Sequence, residues 1–282
     1  MRNAMQFKSI IKNIAKRNGI SSQLVLQNYM LERLLSRISL SKYNQNFIIK
    51  GGFLIAAIVG LNIRTTMDLD VTIKNKPINE ENIKSMFTDI ISISVDDDII
   101  FELKSIKNIL ENKEYSGYRV ALTGNFPPMV VPLKVDITTG DEITPKEIKF
   151  EYKTLIGDKS IPVLAYNLET ILAEKLETII SRGDQTTRPR DYYDIYILKK
   201  LQYANIDLKN LKKALSITSS KRGTLEIMGL YPEIMKSCIS SYTMNAHWKK
   251  YQKSFDYAKS ISFADACKVV VEIMNELHWQ TP

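Results

Sequence analysis

One segment constrains the fold more than any other, because a short apolar strand, a Gly-Gly turn, an apolar helix and a half-buried strand follow one another. The pattern predicts the first strand over residues 47–50, the turn at Gly51 and Gly52, and the helix over residues 53–59. Residues 68–73 alternate polar and apolar side chains, as a strand with one buried face does. A strand, a helix and a second strand in this order indicate an α/β core.

The rest of the chain divides into an α/β module and a helical module. In the first we expect helices over residues 5–17 and 22–39, with Ser21 or Ser22 as N-cap, a helix over 79–92, and strands over 98–108, 117–125 and 130–138. In the second we expect helices over 167–182, 190–202, 207–219, 231–240, 245–259 and 262–278. The predicted domains are residues 1–160 and 161–282.

Composition excludes several classes of protein. The chain has 282 residues, of which 44% are hydrophobic and 25% charged, as in ordinary globular proteins of about two domains. No apolar run approaches the ~18 residues of a membrane span, and the first residues do not follow a signal-peptide pattern. We therefore expect a cytoplasmic protein without membrane association. The two cysteines and two histidines lack zinc-site spacing.

Charge is distributed unevenly. Residues 1–50 contain nine Lys or Arg and one acidic residue, Glu32, whereas residues 51–150 contain 11 basic and 15 acidic residues. The cationic segment could follow the phosphate backbone of RNA or could only keep two helices solvated. Charge alone leaves both interpretations open.

Three aspartates are candidate metal ligands. Asp68 and Asp70 are two apart in a predicted strand, so they project from the same face. Asp136 lies between Val and Ile on another predicted strand, where a carboxylate needs a partner. Carboxylates suit Mg²⁺, and the backbone of Gly51 and Gly52 at a helix start suits phosphate. Each motif alone is more easily structural, but their order favours metal-dependent phosphate chemistry.

A second group of candidates lies in the predicted helical domain. The apolar face of the first helix there packs inward, so Lys175 can reach a cleft and neutralise phosphate. Asp191 and Asp194 are three apart on the next helix and share a face. A structural salt-bridge or capping network involving Arg188, Arg190 and Asp194 is the alternative.

In these blocks the chain resembles the AbiEii/AbiGii toxin family, a branch of the DNA polymerase β-like nucleotidyltransferase superfamily that is related to the MenT toxins. The blocks include Lys50-Gly51-Gly52, Arg64-Thr65-Thr66-Met67-Asp68-Leu69-Asp70, Lys134-Val135-Asp136, Glu174-Lys175 and Arg188-Pro189-Arg190-Asp191 with Asp194. One departure is Gly52, where the wider superfamily usually has Ser, so only backbone donors remain there for the triphosphate.

The resemblance implies a polymerase-β-like mixed sheet with N-terminal helices, followed by a helical domain that completes the active site. It implies Mg²⁺ or Mn²⁺ on Asp68, Asp70 and Asp136, and an NTP held by Gly51, Gly52, Arg64 and Lys175. Lys175 and Asp191 would join the aspartates as catalytic residues. Supporting roles would fall to Lys50, Thr66, Glu174, Arg188, Arg190 and Asp194.

The resemblance also implies a toxin of a toxin–antitoxin or phage abortive-infection system that transfers NMP to RNA. The expected acceptor is the 3′ end of tRNA, and the expected partner is a winged-helix, AbiEi-like antitoxin that need not bind stably. The alternatives are a nucleotidyltransferase for a small molecule or a protein hydroxyl, and an inactive NTP-binding module.

Overall fold

A computed structural model describes residues 4–109 and 117–279, which form two compact units. The first unit comprises the described residues up to Asp141 together with Glu147–Tyr166, and it contains the sheet. The second comprises Glu142–Lys146 and the described residues from Asn167 onward, and its regular structure is helical.

A mixed sheet of seven strands forms the centre of the first unit. The strands are β1 (Phe47–Lys50), β2 (Leu69–Ile73), β3 (Ile100–Asn108), β4 (Gly117–Phe126), β5 (Met129–Thr139), β6 (Ile148–Lys153) and β7 (Ser160–Ala165), in the spatial order β3-β4-β5-β2-β1-β7-β6. β2 is parallel to β5 and antiparallel to β1, and β1 is parallel to β7. The α/β fold class predicted from the sequence is thereby confirmed.

Four helices accompany the sheet: α1 (Ala4–Asn18), α2 (Ser22–Leu40), α3 (Gly51–Val59) and α4 (Glu80–Ile91). α2 begins where the sequence predicts, because the Ser21 hydroxyl accepts the Leu24 N–H at 3.2 Å. Its buried side includes Leu31, Leu34 and Leu35, each 0% exposed. Burial of one such side chain stabilises the unit by about 1.5–3 kcal/mol.

Seven helices form the second unit: α5 (Leu168–Arg182), α6 (Pro189–Gln202), α7 (Leu208–Lys221), α8 (Leu225–Met228), α9 (Tyr231–Ser240), α10 (Tyr242–Ser254) and α11 (Phe263–Glu276). Asn167 anchors the first of them. Its side-chain oxygen accepts the Thr170 N–H at 2.7 Å, and its side-chain amide donates to the carbonyls of Thr144 and Lys146 at 2.8 and 2.9 Å.

The helices and strands predicted from the sequence are all present. Most bounds differ by one to three residues, but the helix predicted over 245–259 begins at Tyr242 and ends at Ser254. The pattern missed β6, β7 and the short helix α8. Edge strand β6 is mostly exposed and β7 contains Pro162, so neither shows the continuous apolar signal of a central strand. No helix in the described part of the chain combines the length and apolarity needed to cross a membrane.

Candidate active site

Charged side chains form a row across four neighbouring strands. Lys50 on β1 is paired in register with Asp70 on β2, Asp70 with Asp136 on β5, and Asp136 with Arg119 on β4. Register partners point to the same face of a sheet. The row therefore places two carboxylates side by side between two cations, and we call these four residues the charge row.

Asp70 lies against the start of α3. The Gly52 N–H donates to Asp70 Oδ2 at 3.3 Å. Burial raises the pKa of Asp70, and the charges of Asp136 and Asp68 raise it further, while Lys50 and the Gly52 N–H act in the opposite direction. A carboxylate in these surroundings gains from any additional cation.

Glycine is required at Gly51. Its φ is +63°, in the left-handed region that other residues rarely adopt. A Cβ there would lie 2.7 Å from the carboxylate carbon of Asp70, and at Gly52 a Cβ would lie 3.1 Å from Arg64 Nη2 and 3.2 Å from Thr66 Oγ1. The turn thus keeps the backbone close to the carboxylate.

The loop before β2 is fixed by α2. Gln27 donates to the Met67 carbonyl at 2.7 Å, and Asn28 donates to the Thr66 carbonyl at 2.8 Å. The Thr66 hydroxyl donates to the Asp68 carbonyl at 3.2 Å, and Asp68 is the last residue before β2. The two buried amides position Asp68, and nothing in the sequence distinguishes them from other polar helix residues.

Arg64 is 4% exposed, and its guanidinium donates to the neighbouring Thr65 carbonyl. The structure therefore places the side chain of this predicted nucleotide-binding residue next to the Gly52 backbone and largely away from solvent.

Asp136 is held by Arg119, a residue that the sequence reading did not select. Arg119 Nε lies 2.7 Å from Asp136 Oδ1 and Nη2 lies 2.7 Å from Oδ2, so both carboxylate oxygens accept from one guanidinium. Asp136 and the charges of Asp68 and Asp70 raise the pKa of Arg119. Only the register of β4 and β5 could have identified this pair in advance.

Lys50 has its own carboxylate partner at the other end of the charge row. Its ammonium lies 2.6 Å from Asp141 Oδ2 and 3.5 Å from the Tyr166 hydroxyl. Burial disfavours the charged form of Asp141, but Lys50 and the Thr138 hydroxyl outweigh it and lower the pKa to about 2. Lys50 is therefore a partly buried cation of the site that is paired with Asp141.

No group of three or more His, Cys, Asp or Glu side chains in residues 4–109 and 117–279 is arranged as a metal-binding set. Asp70 and Asp136 are adjacent on parallel strands, and the charge of Asp68 is close enough to raise the Asp70 pKa. Carboxylate oxygens of this kind suit a hard divalent cation, and they repel each other without one. The donor chemistry thus fits Mg²⁺ or Mn²⁺. Both oxygens of Asp136 also accept hydrogen bonds from Arg119.

The second unit contains a separate buried cluster. Lys175 Nζ lies 2.7 Å from Asp191 Oδ1 and 2.8 Å from Asp194 Oδ2, and Arg188 Nε lies 2.8 Å from Asp191 Oδ2. Burial lowers the pKa of Lys175, but the two carboxylates outweigh it, so the pKa is raised. We call Lys175, Asp191 and Asp194 the lysine cluster.

Two predicted supporting residues lie outside the lysine cluster. Glu174 Oε1 is 3.9 Å from Arg222 Nη2, and Arg222 also pairs closely with Glu177. Arg190 is exposed at the start of α6. The network involving Arg222 had no signal in the sequence, since nothing indicated that α7 would lie beside α5.

The mixed sheet, with adjacent carboxylates next to a Gly-Gly helix start, defines a nucleotidyltransferase fold. The chain is similar to a crystal structure described as a "putative nucleotidyltransferase from H. pylori", with a TM-score of 0.55 and 16% identity over 92% of this chain and 96% of that one. It is also similar to JHP933 from Helicobacter pylori, with a TM-score of 0.50 and 16% identity over 92% and 94% of the two chains.

The chain belongs to the family of AbiEii nucleotidyl transferase toxins of type IV toxin–antitoxin systems, whose model matches residues 33–269. The family and the enzyme class predicted from the sequence are thereby confirmed. No curated protein matches the chain significantly.

Proposed function

We propose that this toxin uses a divalent metal ion to transfer a nucleoside monophosphate from an NTP to RNA, at the 3′ end of tRNA. Added nucleotides would block aminoacylation and so stop translation. The proposal places the reaction in the cytoplasm, where tRNA and NTPs are found, and gives the toxin a winged-helix antitoxin as partner. The observation that carries it is the adjacency of Asp70 and Asp136 beside the first turn of α3.

Asp68, Asp70 and Asp136 would hold Mg²⁺ or Mn²⁺. The bound ion would supply charge stabilisation for the phosphates and lower the cost of ionising the attacking hydroxyl. Asp70 is central to the proposed site, because it is in register with Asp136 on the neighbouring strand and accepts the Gly52 N–H at 3.3 Å. Glycine at positions 51 and 52 leaves room for close backbone approach, which is how helix starts bind phosphate.

The chemistry is a displacement at the α-phosphorus. The acceptor hydroxyl oxygen forms a bond to that phosphorus, the bond from the phosphorus to its bridging oxygen breaks, and pyrophosphate leaves with the electron pair. Asp136 would accept the hydroxyl proton as this happens. Lys175 and Asp191 remain proposed catalytic residues. Substitution of Lys175, the cation of the lysine cluster, tests this role.

Support for RNA as acceptor comes from α1. Lys8, Lys12 and Lys16 are exposed and four residues apart, so they lie along one face of the helix. No acidic residue occurs in α1. A stripe of three exposed cations on a helix without acidic residues suits a phosphate backbone and has no evident use with a small-molecule acceptor.

The direct test is to incubate the protein and Mg²⁺ with each α-labelled NTP in turn, with and without bulk tRNA. We expect label in the tRNA band with at least one NTP, and none with the Asp68→Ala, Asp70→Ala double variant. Asp158→Ala is the matched control, since Asp158 is an exposed turn residue. Label on protein or on a small molecule would show that the acceptor is that molecule and not RNA. Binding of NTP without any transfer of label would favour an inactive NTP-binding module.

A second experiment tests the α1 stripe. We expect the triple variant Lys8→Gln, Lys12→Gln, Lys16→Gln to raise the KM for tRNA and to reduce the salt dependence of binding. Each lost phosphate contact should lower the slope of log K against log salt by about 0.7–0.9. Lys84→Gln on α4 is the control for charge. An unchanged slope in the triple variant would remove α1 from the RNA interface.

A further inference from the structure

Neither cation of the charge row has a role in the proposed mechanism, and Arg119 is the more exposed of the two. It lies on β4 in register with Asp136 on β5, and its side chain is 43% exposed whereas that of Asp136 is 21% exposed. Two parallel hydrogen bonds of 2.7 Å join the guanidinium to the carboxylate. Bidentate pairs of this kind are the stronger and more specific ion pairs in proteins.

Both oxygens of Asp136 therefore accept hydrogen bonds from the protein's own cation. A divalent ion that used Asp136 would need at least one of these oxygens. Each oxygen keeps a further lone pair, so a metal ion could coordinate Asp136 beside the guanidinium. The guanidinium cannot lose its positive charge by deprotonation, however, and it would repel that ion at close range. Binding of the metal at Asp136 and pairing with Arg119 therefore weaken each other.

We propose that Arg119 is a positioning residue that competes with the divalent metal ion for Asp136 and weakens metal binding to the protein without nucleotide. The inference rests on the proposed metal-dependent function. An NTP supplies the anion that can take over the guanidinium, since Arg pairs with phosphate as readily as with carboxylate. The metal site is then complete mainly when nucleotide is present.

The competition has a defined signature in binding. Because the two interactions weaken each other, the apparent dissociation constant of the metal is raised by at most the factor by which the Arg119 pair is favoured over its open form. A partly exposed bidentate pair gives about a 5-fold factor. Removal of the guanidinium should therefore lower the apparent dissociation constant of the metal by up to that factor.

The test is Mn²⁺ binding to the nucleotide-free protein, followed by calorimetry or by the electron paramagnetic resonance signal of free Mn²⁺. We expect Arg119→Gln to bind Mn²⁺ about 5-fold more tightly than the wild type, and Arg119→Lys, which keeps the charge but loses the fork, to lie between them. The Mg²⁺ concentration for half-maximal transfer should fall in the same order. Lys84→Gln, with the same charge change at an exposed position of α4, should match the wild type.

Two outcomes would overturn parts of the argument separately. Unchanged or weaker Mn²⁺ binding in a folded Arg119→Gln variant refutes the competition, and thermal unfolding of the variant checks that it is folded. If Asp70→Asn leaves Mn²⁺ binding intact, the proposed metal site itself is wrong. Loss of binding in Asp70→Asn together with no effect at Arg119 keeps the proposed function and rejects only this inference.

Discussion

Substitution of Lys175 by Met should destabilise the second unit strongly. The ammonium lies within 2.8 Å of carboxylates whose side chains are 2% and 0% exposed, on Asp191 and Asp194. Removal of one partner from a buried ion pair costs about 3–5 kcal/mol. Arg188 stays 2.8 Å from Asp191, so we expect the lower end of that range. At about 2–4 °C per kcal/mol, Tm should fall by roughly 6–12 °C.

The assay is thermal unfolding of wild type and variant at neutral pH. A double variant, Lys175→Met with Asp194→Asn, removes one of the buried charges left without Lys175 and should recover a large part of the loss. Because the pKa of Lys175 is raised above 10.5 in the folded protein, its contribution is complete below that pH and disappears only above it. A Tm within about 1 °C of wild type for Lys175→Met would refute the reasoning.

The same variant separates a structural from a catalytic role for Lys175. If Lys175 only holds α5 to α6, transfer activity measured well below the lowered Tm should stay near the wild-type level. If the ammonium also serves the nucleotide, activity should be lost in protein that is still folded. Lys199→Met provides a control, since Lys199 pairs with Glu276 at 2.6 Å at the opposite end of α6.

Two further changes test the first unit. Gly51→Ala should abolish transfer and lower stability by more than Gly19→Ala. The backbone is equally unusual at the two sites, with φ of +63° and +64°, but of the two only Gly51 would place a methyl group on the Asp70 carboxylate. Unfolding and transfer assays on both variants check this. The ionised Asp141 carboxylate should stabilise the protein by about 2 kcal/mol above pH 4. Because its ion pair with Lys50 outweighs burial and lowers its pKa to about 2, this contribution is lost as the pH falls towards that value. Acid unfolding of the wild type and of Asp141→Asn measures it.

Much of the fold was predictable because its signals are local. The strand at residues 47–50, the Gly-Gly turn and the alternating strand that contains Asp70 each show their periodicity within a few residues. The N-cap at Ser21 is equally local. By contrast, β6 and β7 owe their place to pairing with each other and with β1, which a single sequence does not display.

The candidate site was predictable only in part, for a related reason. Asp70 and Asp136 stand out because a carboxylate among apolar strand residues demands a partner. The identity of that partner depends on register, so Arg119 looked like any charged residue of an exposed strand. Gln27 and Asn28 were overlooked because an amide in an amphipathic helix usually faces water, whereas these two support the loop before Asp68.

The charge row explains how a sheet can place two carboxylates side by side before any metal ion binds. Asp70 and Asp136 repel each other, but Lys50 is next to one and Arg119 is next to the other, so the four residues together carry no net charge. The two cations differ in how they are held. Lys50 is 13% exposed and bound to Asp141, whereas the side chain of Arg119 is 43% exposed. The row is therefore formally neutral before a metal ion binds, and Arg119, the more exposed of its two cations, is the one that we propose yields to the metal.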